Sequence, residues 1–123
     1  MAVVRLTSAA REDVRDLDGE AKKRVLKAMK KLEDEPDKRG HPLGSNATGN
    51  LTNFRKLVVG DREYRIVYRV EGAGEVVVVW VVGQRADREC YDLAISRLKL
   101  YAEDSQLANE LEQILSEVWD PAS

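Results

Sequence analysis

YRIVYRVEGAGEVVVVWVVG, residues 64–83, decides the fold. Its first half alternates. Tyr64, Ile66, Tyr68 and Val70 fall on one side of an extended chain, and Arg65, Val67 and Arg69 fall on the other. Its second half, Val76–Val82, is apolar at every position, the pattern of a strand covered on both faces. Gly72-Ala73-Gly74 between them supplies turn chemistry, and so short a connection makes the two strands antiparallel neighbours. The all-apolar strand is expected at the centre of the sheet.

Towards the N-terminus, Gly60-Asp61 marks another turn and Leu51–Val59 reads as a third strand. Residues 36–50, PDKRGHPLGSNATGN, hold three glycines, two prolines and two asparagines without periodicity, and read as a long loop carrying Lys38, Arg39 and His41. Before the loop, Ala21, Val25, Ala28, Met29 and Leu32 form one stripe of a helix over about residues 20–34, stopped by Pro36. Ala10, Val14 and Leu17 form the stripe of a shorter helix, capped by Thr7 or Ser8; Asp18 can cap the second. Val3–Leu6 reads as an edge strand.

Beyond Gly83, Asp87 can cap a helix carrying Tyr91, Ala94, Ile95 and Leu98. A further helix is expected over residues 104–119, with Leu107, Leu111, Ile114, Leu115 and Val118 at helical spacing and Pro121 at its end. The expected fold class is α+β: an N-terminal strand and helical hairpin packed on an antiparallel sheet, with a C-terminal helical segment. Residues 1–99 form the body, and residues 100–123 an acidic helical extension of the same domain.

A chain of 123 residues fits one domain. Residues 1–99 hold all 20 Lys and Arg against 16 acids, whereas residues 100–123 hold six acids and no Lys or Arg. A basic body attracts polyanions, and an acidic amphipathic tail can lie over the body or over a second copy. The single cysteine, Cys90, cannot form an internal disulfide and suits a reducing cytosol. No secretory leader opens the chain and no apolar run approaches the ~20 residues of a membrane span. A cytoplasmic protein without membrane contact is expected. One histidine and one cysteine cannot build a usual metal shell, so no metal or cofactor is expected. No glycine-rich phosphate loop or nucleophile motif is present.

Arginine remains. Arg55, Arg65 and Arg69 lie on strands, and Arg85 follows the apolar strand by three residues. A guanidinium cannot serve as a base at neutral pH, but its fork of donors matches phosphate oxygens. Donors converging on one phosphate stabilise the charge that develops when it is attacked, and RNA supplies its own 2′-OH nucleophile. Tyr91, six residues after Arg85, can face the same place to stack on a base or trade a proton. Strand arginines also cover sheet edges or pair with acids such as Glu63 and Asp87, so composition leaves both readings open.

The segments NFRKL (53–57), YRIVY (64–68), VVVWVVG (77–83) and QRADRECY (84–91) resemble, in this order, the RelE/ParE superfamily of bacterial toxins, most closely its RelE-like branch, over about residues 3–99. The resemblance implies a toxin of a type II toxin–antitoxin system. Such a toxin is a ribosome-dependent endoribonuclease that cuts mRNA, inhibits translation and is neutralised by a cognate antitoxin, as a hetero-oligomer or beside a homodimer. It implies that Arg65 and Arg85 engage the scissile phosphate and that Tyr91 stacks or assists proton transfer. Arg55, Lys56 and Arg88 then bind substrate. RelE-like chains alternate two basic residues on the strand before; here Arg55 and Lys56 are adjacent and point to opposite faces, with Leu57 in the second position. The general base is then Lys56 after a bulge, Tyr91, or absent, with His41 from the loop a less favoured substitute. The alternatives within the superfamily are a ParE-like, non-catalytic inhibitor of DNA gyrase and a weakened member that only binds its antitoxin.

Overall fold

The computed structural model describes residues 2–46, 49–60, 64–71, 76–84, 87–103, 106 and 109. In chain order they form β1 (Val3–Leu6), α1 (Ser8–Arg15), α2 (Gly19–Lys31), a 3-10 turn (Pro36–Lys38), β2 (His41–Asn46), β3 (Gly49–Val59), β4 (Tyr64–Glu71), β5 (Val76–Gly83) and α3 (Asp87–Glu103). The expected 104–119 helix lies almost wholly outside the described residues.

The helix starts follow their local chemistry. Thr7 Oγ1 accepts the Ala10 N–H at 3.2 Å, and Asp18 Oδ1 accepts the Ala21 N–H at 2.9 Å, each relieving one unpaired first-turn donor. The second helix ends at Lys31, three residues earlier than the sequence pattern suggests, with the buried Leu32 as its cap. Pro36 is the first residue of the 3-10 turn and not the helix stop.

The five strands form one sheet in the order β1-β5-β4-β3-β2. Strands β2 to β5 are an antiparallel meander, and β1 joins β5 in parallel, Val3 opposite Val76 through Leu6 opposite Val79. The middle position therefore belongs to β4, and β5 lies one strand from the edge. Both faces of β5 are nonetheless covered, and every one of its residues is buried. The hairpin α1–α2 packs on one face over Val77, Val79, Ile66 and Tyr68. Helix α3 packs on the other over Val76, Val78, Trp80 and Val67. Tyr101, near the end of α3, meets Trp80 edge-on at 5.2 Å between ring centroids. The two aliphatic layers supply the main driving force of folding, at roughly 25 cal/mol per Å² of apolar surface removed from water.

The segment expected as loop contains a strand. Residues 41–46 pair with β3, from His41 opposite Lys56 to Asn46 opposite Gly49, with an irregularity between Pro42 and Gly44. An edge strand needs ladder bonds on one side only, so it tolerates Pro42 and carries little hydrophobic period. Gly40 enters this strand at φ +63°, and a Cβ there would penetrate the Lys56 carbonyl of β3. Gly40→Ala is therefore expected to cost at least about 2 kcal/mol, since left-handed strain alone takes about 1–2 kcal/mol. The loss should appear as a lower urea midpoint with an unchanged slope.

Strand β5 contains a bulge. Val67 pairs with Val81 and Tyr68 with Val79, which leaves Trp80 as the extra residue. Trp80 and Val81 both join the α3-side cluster, while Val79 and Val82 join the other. The bulge lies where β1 runs out, since its last pair is Leu6 with Val79. A clamp of side chains covers the edge beyond it. Asp13 of α1 accepts the Val82 N–H at 3.0 Å, and Arg97 of α3 donates to the Trp80 carbonyl at 2.8 Å. The two side chains meet in a bidentate pair at 2.7 and 3.0 Å, only 13–14% exposed. Helices on opposite faces of the sheet are thus tied across its edge.

Candidate functional site

Residues directly opposite in a sheet share a face, so strand register determines which cations stand together. On the α3 side, one row across the sheet reads His41, Lys56, Val67 and Val81. The next row towards the C-terminal end of β5 reads Val58, Arg65 and Gly83. Lys56 and Arg65 are diagonal neighbours in this lattice, about 7–8 Å apart at their backbones, within reach of one ligand between their side chains. Both are half-buried. Arg69 shares the face but is engaged: it pairs with Glu71 and lies over the Phe54 ring at 5.5 Å from its centroid.

Arg55 is on the other face. Pairing with Tyr68 turns it towards the α1–α2 side, where its Nε donates to the Arg39 carbonyl at 2.7 Å and its Nη2 to the Gly40 carbonyl at 3.2 Å. The Tyr68 hydroxyl, wholly buried, lies 2.9 Å from the Pro36 carbonyl and 2.8 Å from the Arg39 carbonyl. Burial pushes the Tyr68 phenol above its ordinary pKa, with Arg55 opposing, so it stays a donor. Arg55 thus pins the chain entering β2, which corrects the expectation that it binds substrate beside Arg65. The alternation of a strand forces this separation, because β3 pairs with β4 without a bulge from Phe54 to Val59. Lys56 needs no bulge to reach the Arg65 face.

Tyr91 lies in the first turns of α3 and is 6% exposed, packed in the cluster that contains Val67 and Val81. It borders the same face, with most of its ring committed to the core. Arg85 lies outside the described residues, as does the side chain of Arg88 on α3. The last described pair before Arg85, Gly83 opposite Arg65, brings the chain out of the sheet beside Arg65.

His41 holds a more central place than its loop-like sequence suggests. It stands exposed on β2 directly opposite Lys56, on the Arg65 face. Its signal was hidden because β2 has no readable period. An imidazole, an ammonium and a guanidinium on one sheet face can accept a proton, hold a phosphate and neutralise developing charge. Among the described residues no three His, Cys, Asp or Glu side chains gather as a metal site, and no helix is long and apolar enough to cross a membrane.

Residues 4–89 match the model of a protein family described as the ParE toxin of the type II toxin–antitoxin system parDE. Among solved structures, the chain is similar to one in the RelBE2 toxin–antitoxin complex of Mycobacterium tuberculosis, at 28% identity over 68% of this chain and 98% of that one, with a TM-score of 0.59. The fold is also that of a mutant Escherichia coli RelE toxin in the free state, at 23% identity over 79% of this chain and 98% of that one (TM-score 0.61). A chain of the Pseudomonas aeruginosa ParDE system shares it too, at 14% identity over 70% of this chain and 98% of that one (TM-score 0.54). None of the curated proteins matches the chain.

Proposed function

The chain belongs to the ParE toxin family of type II toxin–antitoxin systems, and from that premise we propose that it is a toxin that cuts mRNA on the ribosome and is neutralised by a cognate antitoxin. The observation that carries this reading is the placement of Lys56 and Arg65 on one sheet face with His41 beside them. A gyrase-binding protein needs no such convergence of proton-handling and phosphate-binding groups.

In this mechanism Arg65 holds a non-bridging oxygen of the scissile phosphate through its planar fork. Arg85, which follows the Gly83–Arg65 pair in sequence, takes a second oxygen. Lys56 stabilises the charge on the pentacoordinate phosphate. His41 accepts the proton of the 2′-OH as that oxygen attacks phosphorus; the P–O5′ bond breaks, and the leaving 5′-oxygen takes a proton from water. The products are a 2′,3′-cyclic phosphate and a 5′-hydroxyl. Tyr91 borders the base, and Arg88, three residues earlier in the sequence of α3, is assigned to substrate binding. No metal is required, because the nucleophile belongs to the RNA.

The second reading, a ParE-like inhibitor of DNA gyrase, is favoured by the family match itself and by the burial of Tyr91. One experiment decides between them. The chain is induced in growing cells, mRNA 5′ ends are mapped on ribosomes, and gyrase-dependent DNA breaks are scored in parallel. New 5′-hydroxyl ends at ribosome-occupied codons are expected. Intact mRNA with DNA breaks would sink the nuclease reading. Under that reading His41→Ala is expected to lower cleavage about 10²-fold, the usual range for losing a general base. An unchanged rate would remove His41 from the mechanism.

A further inference from the structure

His41 stands on an edge strand that does little to fix its own position. Pro42, the next residue, has no N–H to give to the ladder, and the pairing of β2 with β3 is irregular between Pro42 and Gly44. Gly40, the residue before, has no Cβ and adopts positive and negative φ about equally well. A slip of one residue would turn His41 to the other face of the sheet. Its place beside Arg65 therefore needs a second source of order, and the far face of the sheet supplies one.

Arg55 and Tyr68 are paired directly across β3 and β4 on the α1–α2 side. Both reach the chain just before His41. Arg55 donates from Nε to the Arg39 carbonyl at 2.7 Å and from Nη2 to the Gly40 carbonyl at 3.2 Å. The Tyr68 hydroxyl lies 2.8 Å from the same Arg39 carbonyl and 2.9 Å from that of Pro36. A peptide group is planar, so held carbonyls at residues 39 and 40 fix the two planes that flank Gly40, and with them its φ of +63°. The second of these planes contains the Cα of His41. Arg39 in turn donates from Nε to the Asp34 carbonyl at 2.7 Å, which ties the same turn back towards the end of α2. The anchor is firm, because Tyr68 is wholly buried in the cluster beneath the helical hairpin.

We propose that Arg55 and Tyr68 are positioning residues that hold His41 opposite Lys56 from the far side of the sheet. The proposal rests on the reading of His41 as the general base. A base acts only within about 2.6–3.2 Å of the proton it takes, so a latch on its backbone controls turnover. Arg65 and Lys56 are placed instead by the regular pairing of β3 with β4, so substrate binding does not depend on the latch.

The test has one arm that needs no activity. The chain has a single histidine, so its imidazole resonances report on His41 alone. Directly opposite residues have Cβ atoms about 4.5–5.5 Å apart, and the imidazole should show nuclear Overhauser contacts to the Lys56 side chain. Tyr68→Phe removes one hydroxyl and keeps the ring in the core; Arg55→Met removes the donors and keeps the length. Both should weaken those contacts, and Arg55→Lys should restore part of them. In the second arm, on mRNA-programmed ribosomes, each of the first two changes should lower kcat by up to about 10²-fold with KM little changed, the effect of misplacing a reacting group by about 1 Å. On a His41→Ala background the same changes should lower kcat by less than about 2-fold more, because they act through the residue already lost. Circular dichroism checks that each variant is folded, and Tyr68→Phe carries both arms by itself where Arg55→Met does not fold.

Imidazole contacts unchanged in folded Tyr68→Phe and Arg55→Met would overturn the proposal. So would kcat losses as large on the His41→Ala background as on the wild type, which would make the latch merely structural. Wild-type cleavage by His41→Ala would instead overturn the reading of His41 as base, and with it the catalytic role of the latch, whatever the imidazole contacts show.

Discussion

Asp13→Ala is expected to destabilise the protein by about 3–5 kcal/mol, the range for removing one partner of a buried ion pair. Three losses coincide. The Arg97 guanidinium, 14% exposed, loses both of its carboxylate bonds and, among the described residues, keeps the Trp80 carbonyl. The Val82 N–H, next to the bulge, loses its acceptor. Helices α1 and α3 lose their direct tie across the sheet edge. Domains of this size have a total stability of about 5–15 kcal/mol, so this loss takes a large share of it. Urea unfolding followed by circular dichroism measures the effect, with Arg97→Ala as companion. Because Arg97→Ala strands the buried Asp13 carboxylate, it should cost a similar amount, and the double variant should cost clearly less than the sum of the two. A loss under about 0.5 kcal/mol for Asp13→Ala would show that water replaces the clamp at no net cost.

Arg65→Ala is expected to lower mRNA cleavage by about 10²–10³-fold, equivalent to about 3–4 kcal/mol of transition-state stabilisation, while leaving the fold intact. Arg65 is half-buried on β4 opposite Val58 and Gly83, outside both apolar clusters, and circular dichroism checks that the variant is folded. Arg65→Lys should recover only part of the rate, since an ammonium keeps the charge but not the fork of donors. Arg69→Ala is the control. Arg69 lies on the same face, yet its guanidinium is held by Glu71 and Phe54, so its loss should change cleavage little. Equal effects of Arg65→Ala and Arg69→Ala would reduce the site to a generic basic surface. Wild-type cleavage by Arg65→Ala, at matched levels of folded protein, would end the nuclease assignment.

Much of the fold was legible because its signals are local. The alternation from Tyr64 to Val70 placed Ile66 and Tyr68 on one face and Val67 with two arginines on the other, and the structure has them so. Thr7 and Asp18 cap the helices that their positions suggested. The unbroken run Val76–Val82 is buried on both faces, as its composition required. Residues 41–46 were not legible as a strand. A short edge strand with Pro42 and Gly44 has no period to read, and only its partner β3 gives it a conformation. The candidate site inherits both conditions. Arg65 and Lys56 could be ranked from the sequence, but His41 gained its place only through the register of β2.

The sheet with which the sequence opened is thus determined from within: period two, glycine turns and side-chain caps each act over a few neighbouring residues. What those short-range rules leave undetermined is which strands meet and in what register. Tertiary packing put β1 parallel to β5, placed a bulge at Trp80 where β1 ends, and let Asp13 and Arg97 close the exposed edge. It also turned Arg55 to the carbonyls of Arg39 and Gly40 and left Lys56 beside Arg65. A shift of one residue in register would exchange those two roles, because each step along a strand reverses the face. The residue types came from the sequence; their company on the sheet came from pairing between segments far apart in it.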